Sequence, residues 1–235
     1  MADAHSGLAT EIAPVYACYA ALACGLDAVR GLGGQLLYAG RLSAETEPLL
    51  RAANIAGAAS LTVSDSQTEI KKALREGVVD FYVTSLDEAL RILKNEIRKH
   101  QPVAVAIHAI PSDVGKQMMQ RGVQPDLLAP AVEAIEPLCS RTIFLERVAK
   151  LVAPKLSTGE EKLHIWAIPQ AWNARTAQLD AQMLEQLSSE DYAARRWLRL
   201  STRYLGPQSR RLRSVACDDV TAARIESLLA VEPVC

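Results

Sequence analysis

Between Gln35 and Leu128 the chain alternates short apolar runs with stretches in which apolar residues return every three or four positions. The short runs at 35–39, 60–63, 103–109 and 125–128 predict strands, and "DFYVT" at 80–84 predicts a short strand or an extended link. The periodic stretches predict helices over 45–55, from Ser66 to Gly77, over 85–102 and over 112–121. Ser66 with Glu69, and Ser85 with Glu88, have the spacing of N-terminal capping boxes. Leu86, Ala89, Leu90, Leu93 and Ile97 form one apolar face, and Pro102 follows the basic end of that helix. "VAVAIHA" at 103–109 is apolar without strict alternation, as expected of a strand covered on both faces. This alternation predicts an α/β fold with a Rossmann-like, doubly wound, mainly parallel sheet and helices on both faces.

Outside that core the pattern predicts an extra N-terminal helix over 10–30, ended by "RGLGG". Helices are expected from Pro130 to Gly159, a strand at 163–168, helices at 175–187 and 189–203, and a return to the sheet at 210–217. A length of 235 residues fits one domain. Its expected parts are a helical arm (1–30), a Rossmann-like core (31–130) and a helical and strand extension (131–235).

Composition narrows the function classes. A net charge of −1 with 49% hydrophobic residues gives no drive toward nucleic acid or membrane. The apolar stretch Ile12–Leu26 is short for a membrane span and contains Pro14, and no Lys or Arg precedes it as a secretory leader would require. It reads as a buried or dimer-facing helix. The five cysteines, at 18, 24, 139, 217 and 235, form no CxxC pair, so neither a disulfide framework nor a metal site is expected. Buried thiols in a reducing, cytoplasmic setting are expected instead.

The candidate chemistry starts at Leu36–Gln67, which has the strand–turn–helix–strand order of a dinucleotide-binding unit. Its turn reads Gly40-Arg41-Leu42-Ser43-Ala44-Glu45-Thr46-Glu47-Pro48. A helix N-terminus holds phosphate through free N–H groups that glycine lets the ligand approach. Here Ser43 is the expected N-cap, and Glu45 and Glu47 place negative charge in the first turn, where it stabilises the helix and repels pyrophosphate. The turn is expected to keep its structural task and lose its ligand. Retained dinucleotide binding at Gly40, Arg41, Ser43 and Asp65 is the alternative. His108 ends an apolar strand, the place where ligands meet open α/β sheets, and is the candidate acid or base. Seven arginines lie between Arg195 and Arg213 with no acid among them. They read either as a solvated face paired with the acids at 185, 190, 191, 218 and 219, or as an anion or nucleic-acid site, with Arg211 and Arg213 as the candidate ligand residues; the paired face is the expectation. Trp166 and Trp172 flank Pro169 and read as core or as the walls of a pocket, with Trp172 the candidate ligand contact.

The phrases "GGQLLYAG", "RAANIAGAASLTVSD", "LDEALRI" and "MMQRGVQPDLL" resemble the Rossmann-like core of the urocanase (urocanate hydratase) family. "HIWAIPQAWNARTAQLDAQMLEQL" and "RRWLRLSTRYLGPQSRRLRSVAC" resemble a compressed copy of its C-terminal part. The resemblance implies an α/β homodimer whose tightly held NAD acts as an electrophile in adding water across urocanate. The departures fall on that chemistry. A family run of the type G-L-G-G-M-G-G aligns with Gly40 to Thr46, where only Gly40 remains. The acid after the second strand becomes Ser64, with Asp65 one position later. A G-N pair becomes Ala109-Ile110, and T-D-Q-T-S-A-H-D-P gives way to "APAVEAIEP". The S-G-D-P after the Trp strand becomes Pro169-Gln170-Ala171-Trp172. The expectation is a short, divergent urocanase-like protein without hydratase activity and without a cofactor. It would bind a small anionic ligand or act as a regulatory or interaction protein. The alternative is a urocanase-type hydro-lyase using NAD or a related dinucleotide.

Overall fold

The computed structural model describes residues 2–23, 26–129, 150–151, 162–206 and 210–231. After helix α1 (Ala2–Ala23) the predicted alternation appears as β1 (Leu36–Arg41), α2 (Glu47–Ala56), β2 (Ala59–Ser64), α3 (Gln67–Arg75), β3 (Phe81–Val83), α4 (Leu86–Arg98), β4 (Val103–His108), α5 (Pro111–Gln120), β5 (Leu127–Leu128) and β6 (Lys150–Leu151). The strands form one six-stranded sheet in the order β3-β4-β2-β1-β5-β6, with every pair parallel. Without the short edge strand β3, this is the Rossmann order, with its switch point between β1 and β5. β2 is buried along its whole length, so it is covered on both faces, as an apolar parallel strand must be.

The local signals act as their chemistry requires. The Ser66 Oγ accepts the Glu69 N–H at 3.3 Å, and the Ser85 Oγ accepts the Glu88 N–H at 3.3 Å. The Glu69 carboxylate does not return to Ser66; it accepts the Ser64 hydroxyl at 2.8 Å. Gly57 ends α2 in the left-handed region, with φ 99°. A Cβ there would lie 2.5 Å from the Arg196 guanidinium, so glycine is needed for both conformation and space.

A second unit packs beside this sheet. It contains β7 (Lys162–Ala167), α6 (Thr176–Gln186), α7 (Tyr192–Tyr204), β8 (Leu212–Cys217) and α8 (Asp219–Ala230). β7 and β8 pair antiparallel in their own two-stranded sheet, with Trp166 opposite Arg213. The expected return of 210–217 to the main sheet is therefore corrected. β8 is buried throughout, Arg213 and Ser214 included, but burial does not specify which strand is the partner. α8 was not predicted, although its start is encoded: the Asp218 Oδ1 accepts the Thr221 N–H at 2.6 Å.

Two further expectations change. α1 ends at Ala23, short of Arg30. The segment after it folds back through the Asp27 carboxylate, which accepts the N–H groups of Val29 and Arg30, and through an Asp27–Gly31 bridge. Within the span expected to be helical from Pro130 to Gly159, residues 150–151 are strand β6; the rest of that span lies outside the described residues.

The apolar face of α1 is buried within the chain. Ile12, Val15, Tyr19 and Leu22 are all under 5% exposed, on the three-and-four spacing of one helix face. α1 packs on α2, and the rings of Tyr16 and Tyr19 meet Trp197 of α7 at 4.9 and 5.1 Å. The Tyr19 hydroxyl donates to the Ala193 carbonyl at 2.8 Å. α7 also reaches the core through the Arg196 Nε, which donates to the Ile55 carbonyl at 2.8 Å.

Candidate functional site

The carboxyl ends of β1, β2, β4 and β3 carry Arg41, Ser64 with Asp65, His108, and Val83, in that spatial order. This end of an open parallel sheet is where ligands bind, because the loops after the strands leave the sheet there.

β1 reaches this end through an irregularity. Tyr38 pairs with Leu61 and Gly40 with Thr62, so Ala39 is passed over. Gly40 has φ 70°, and its carbonyl accepts the Thr62 hydroxyl at 3.0 Å. The surviving glycine of the turn therefore shapes the strand end.

The turn that follows is closed by Thr46. Its Oγ1 donates to the Arg41 carbonyl at 2.9 Å and accepts the Ser43 N–H at 2.9 Å, and the residue is 2% exposed. The Glu47 N–H bonds the Ser43 carbonyl at 3.0 Å, so helical turning starts at Ser43. Ser43 was expected to cap α2 with its hydroxyl. Instead the hydroxyl lies 3.4 Å from the Thr46 Oγ1, and Thr46 supplies the reaching-back half of a capping box. Of the two carboxylates expected in the first turn of α2, Glu45 precedes the helix, and the signal for the closing contact is a threonine three positions after a serine. Glu47 lies in the first turn of α2, with its charge favourably placed toward the helix dipole.

Beyond the turn, the Arg41 Nη2 pairs with the Asp65 Oδ1 at 2.9 Å, joining the ends of β1 and β2; both side chains are about half exposed. The backbone carbonyl of Asp65 lies 3.2 Å from the His108 Nε2. The His108 ring faces Tyr82 of β3 at 6.4 Å between centroids, and the Tyr82 hydroxyl accepts the Gln67 Nε2 at 3.3 Å. Gly40, Arg41, Ser43, Asp65 and His108, singled out from sequence, are thus brought to one end of the sheet. Tyr82 and Gln67 were not singled out. β3 reads as a weak three-residue strand, and only its pairing with β4 sets Tyr82 beside His108.

Trp172, Arg211 and Arg213 belong to the second unit. Trp172 is 2% exposed and donates from its Nε1 to the Val231 carbonyl at 3.2 Å, so it is core. Arg213, 6% exposed, forms a fork with Asp180 through its Nε and its Nη2, the latter at 2.9 Å. Arg211 is exposed at the start of β8, and its carbonyl accepts the Ile168 N–H at 2.8 Å. Among the described residues, the remaining arginines form no ion pair with the acids at 185, 190, 191, 218 and 219 expected to face them. Arg195 donates to the Leu184 and Leu187 carbonyls at the end of α6, and Arg196 to the end of α2. These are cations at helix C-termini, where carbonyls lack intrahelical partners. Burial lowers the pKa of Arg196, with the neighbouring Arg199 acting in the same direction.

Among the described residues no group of three or more His, Cys, Asp or Glu side chains could hold a metal, and no helix is long and apolar enough to cross a membrane. A groove of about 840 Å³ lined by Asp80, Phe81, Arg91, Asn95, Glu96 and Val103 lies at the amino ends of β3 and β4, at the opposite end from His108.

Residues 42–140 match the family model described as the urocanase Rossmann-like domain. The match starts at the turn after β1 and runs through β5, so it takes in Ser43, Asp65, Tyr82 and His108.

Proposed function

Because the chain carries a urocanase Rossmann-like domain, we propose that it is a divergent, cytoplasmic member of that group which binds a small anionic ligand at the strand ends and does not hydrate urocanate. The observation that supports this most directly is Thr46. Its buried hydroxyl takes the Ser43 N–H and the Arg41 carbonyl at the mouth of the turn where a pyrophosphate would need free backbone donors. The adjacent Arg41–Asp65 pair engages the Asp65 carboxylate that could otherwise receive the ribose, and uses one nitrogen of Arg41. A nicotinamide acting as an electrophile needs rigid placement along the whole dinucleotide. The alternative, a hydro-lyase using a dinucleotide, draws on the preserved strand order and on Gly40 at φ 70°.

The test uses the purified protein. We expect no NAD in the extract of the denatured protein by mass spectrometry, no thermal stabilisation by millimolar NAD, and no loss of urocanate absorbance. Bound NAD or urocanate consumption would return the chain to the hydratases. A homodimer is proposed on the family resemblance alone, since the apolar face of α1 is already covered by α2 and α7; light scattering of the purified protein decides it.

A further inference from the structure

β3 is an edge strand of the parallel sheet, and among the described residues no strand pairs with its outer side. In a parallel ladder the N–H and C=O of one residue point to the same side, and successive residues alternate. Ala104 faces β3: its carbonyl accepts the Asp80 N–H at 2.8 Å, and its N–H donates to the Asp80 Oδ2 at 2.8 Å. The Ala109 N–H turns the other way, to the Ser64 carbonyl. Ala104 and Ala106 therefore serve β3. Since Phe81 lies opposite Val105 and Val83 opposite Ile107, their bonds go to Phe81 and Val83, and the N–H and C=O of Tyr82 point outward. Such an edge is a template for a further strand, and β3 has no Lys, Pro or bulge to block one.

The two faces of this edge differ. On the α3 side the Tyr82 hydroxyl is held by Gln67. On the α4 side lies the groove of about 840 Å³, in which Phe81 is 49% exposed and Ile92 half-buried. Its carboxylates are already engaged. Asp80 accepts the Ala104 N–H, and the Glu96 Oε1 accepts the Asn95 Nδ2 and the Lys99 Nζ, both at 2.8 Å. Arg91 is exposed and makes no hydrogen bond or ion pair among the described residues. The open charge of the groove is therefore positive.

We propose that the groove between β3 and α4 docks an extended acidic peptide from another protein. Its backbone adds a strand outside β3 through the N–H and C=O of Tyr82. An apolar side chain enters the groove against Phe81 and Ile92. An acidic side chain two positions away, on the same face of the added strand, meets Arg91. Main-chain bonds to a free edge and a side-chain pocket beside it are the two requirements of this mode of recognition. A second copy of this chain fits the edge less well. It would offer Tyr82 and Asp80, whose side chains are already bonded to Gln67 and to the Ala104 N–H. The groove lies at the opposite end of the sheet from His108, so this site is separate from the ligand proposed there.

The experiment follows the backbone amide and arginine Nε resonances of the full chain by NMR. The probe is a short threonine-rich peptide with a leucine and a glutamate two positions apart. It is expected to shift the Tyr82 and Ile92 amides and the Arg91 Nε saturably. A counterpart with lysine in place of the glutamate should bind about five- to tenfold more weakly, because an exposed ion pair is lost and a like charge gained. A counterpart with prolines in place of the threonines should not bind, because it lacks the backbone donors of a strand. Arg91→Gln should shrink the difference between the glutamate and lysine peptides to about twofold or less. Phe81→Ala should weaken both. Both side chains are exposed, so the substitutions spare the core, and unchanged amide signals elsewhere show that each variant is folded. Equal binding of the glutamate and lysine peptides, undiminished binding of the proline peptide, or a charge preference that survives Arg91→Gln would each overturn the site. So would silence toward every peptide at millimolar concentration. Shifts at Tyr82 that follow protein concentration alone, with a dimeric mass, would give the edge to a second copy and overturn it too.

Discussion

Single residues decide what this Rossmann turn does. Glycines in such a turn keep backbone N–H groups open to a ligand, and Thr46 closes the same turn from within. The hydroxyl is buried and used in both directions, so its removal leaves the Ser43 N–H and the Arg41 carbonyl unmet. Thr46→Val, which keeps shape and loses the hydroxyl, is expected to lower unfolding free energy by about 1–3 kcal/mol in urea titrations. Thr46→Ser should restore most of it. A Thr46→Val protein as stable as the parent would mean that water satisfies the turn and that its backbone donors are open to a pyrophosphate. Cys18 shows the same logic of burial: desolvation pushes its thiol up to about 11, so it lacks the thiolate character of a reactive site.

At the scale of elements, the helices are held at their ends by short-range contacts. Asp27, Glu88 and Asp218 each accept backbone N–H groups at a turn or helix start, and these bonds hold their pKa values below the ordinary range. The first cause is the Arg30 N–H for Asp27, the Thr84 N–H for Glu88 and the Thr221 N–H for Asp218. A depressed folded pKa means that the unfolded chain binds protons first. The stabilisation is therefore complete above the ordinary carboxylate values, 3.8 for the aspartates and 4.5 for Glu88, and is lost as pH falls through the lower folded values. The urea midpoint should fall as pH drops from about 6 to about 3. The Asp27→Asn and Asp218→Asn double variant should show a smaller fall, because asparagine can cap without titrating. An unchanged pH profile in that variant would remove these caps as the cause.

For the whole molecule, the decisive joint is between the parallel sheet and the second unit. Trp197 is fully buried against Tyr16 and Tyr19, its Nε1 donates to the Ser214 Oγ at 3.1 Å, Arg51 donates to the Tyr204 carbonyl, and Arg196 fills the space above Gly31 and Gly57. The arginine-rich stretch thus joins the two units. A chain that stops before β7 would leave the α1 and α2 faces open to water, and it is expected to lack dispersed amide signals and near-ultraviolet dichroism. In the full chain, Trp197→Ala should cost about 3–5 kcal/mol. A truncated chain with native-like spectra would show that the Rossmann-like part folds alone.

The sequence by itself determined the elements of the core and their parallel arrangement. Apolar periodicity, Ser66, Ser85 and Gly57 act over a few residues, and each does in the fold what its local chemistry dictates. The same locality made Gly40, Arg41, Asp65 and His108 legible as strand-end residues. What the sequence did not determine is who meets whom across long separations. β8 is buried along its whole length, yet it pairs with β7 and not with the main sheet, since a strand's partner is not written in its residue types. Arg195 and Arg196 look like a free basic face until α7 docks and sets them on the carbonyls that end α6 and α2. Tyr82 lies 26 residues from His108, by the difference of their numbers, on a strand too short to announce itself. Only the closing of the sheet, which brings β3 to β4 at the cost of chain entropy and with the gain of buried backbone pairing, makes the two neighbours.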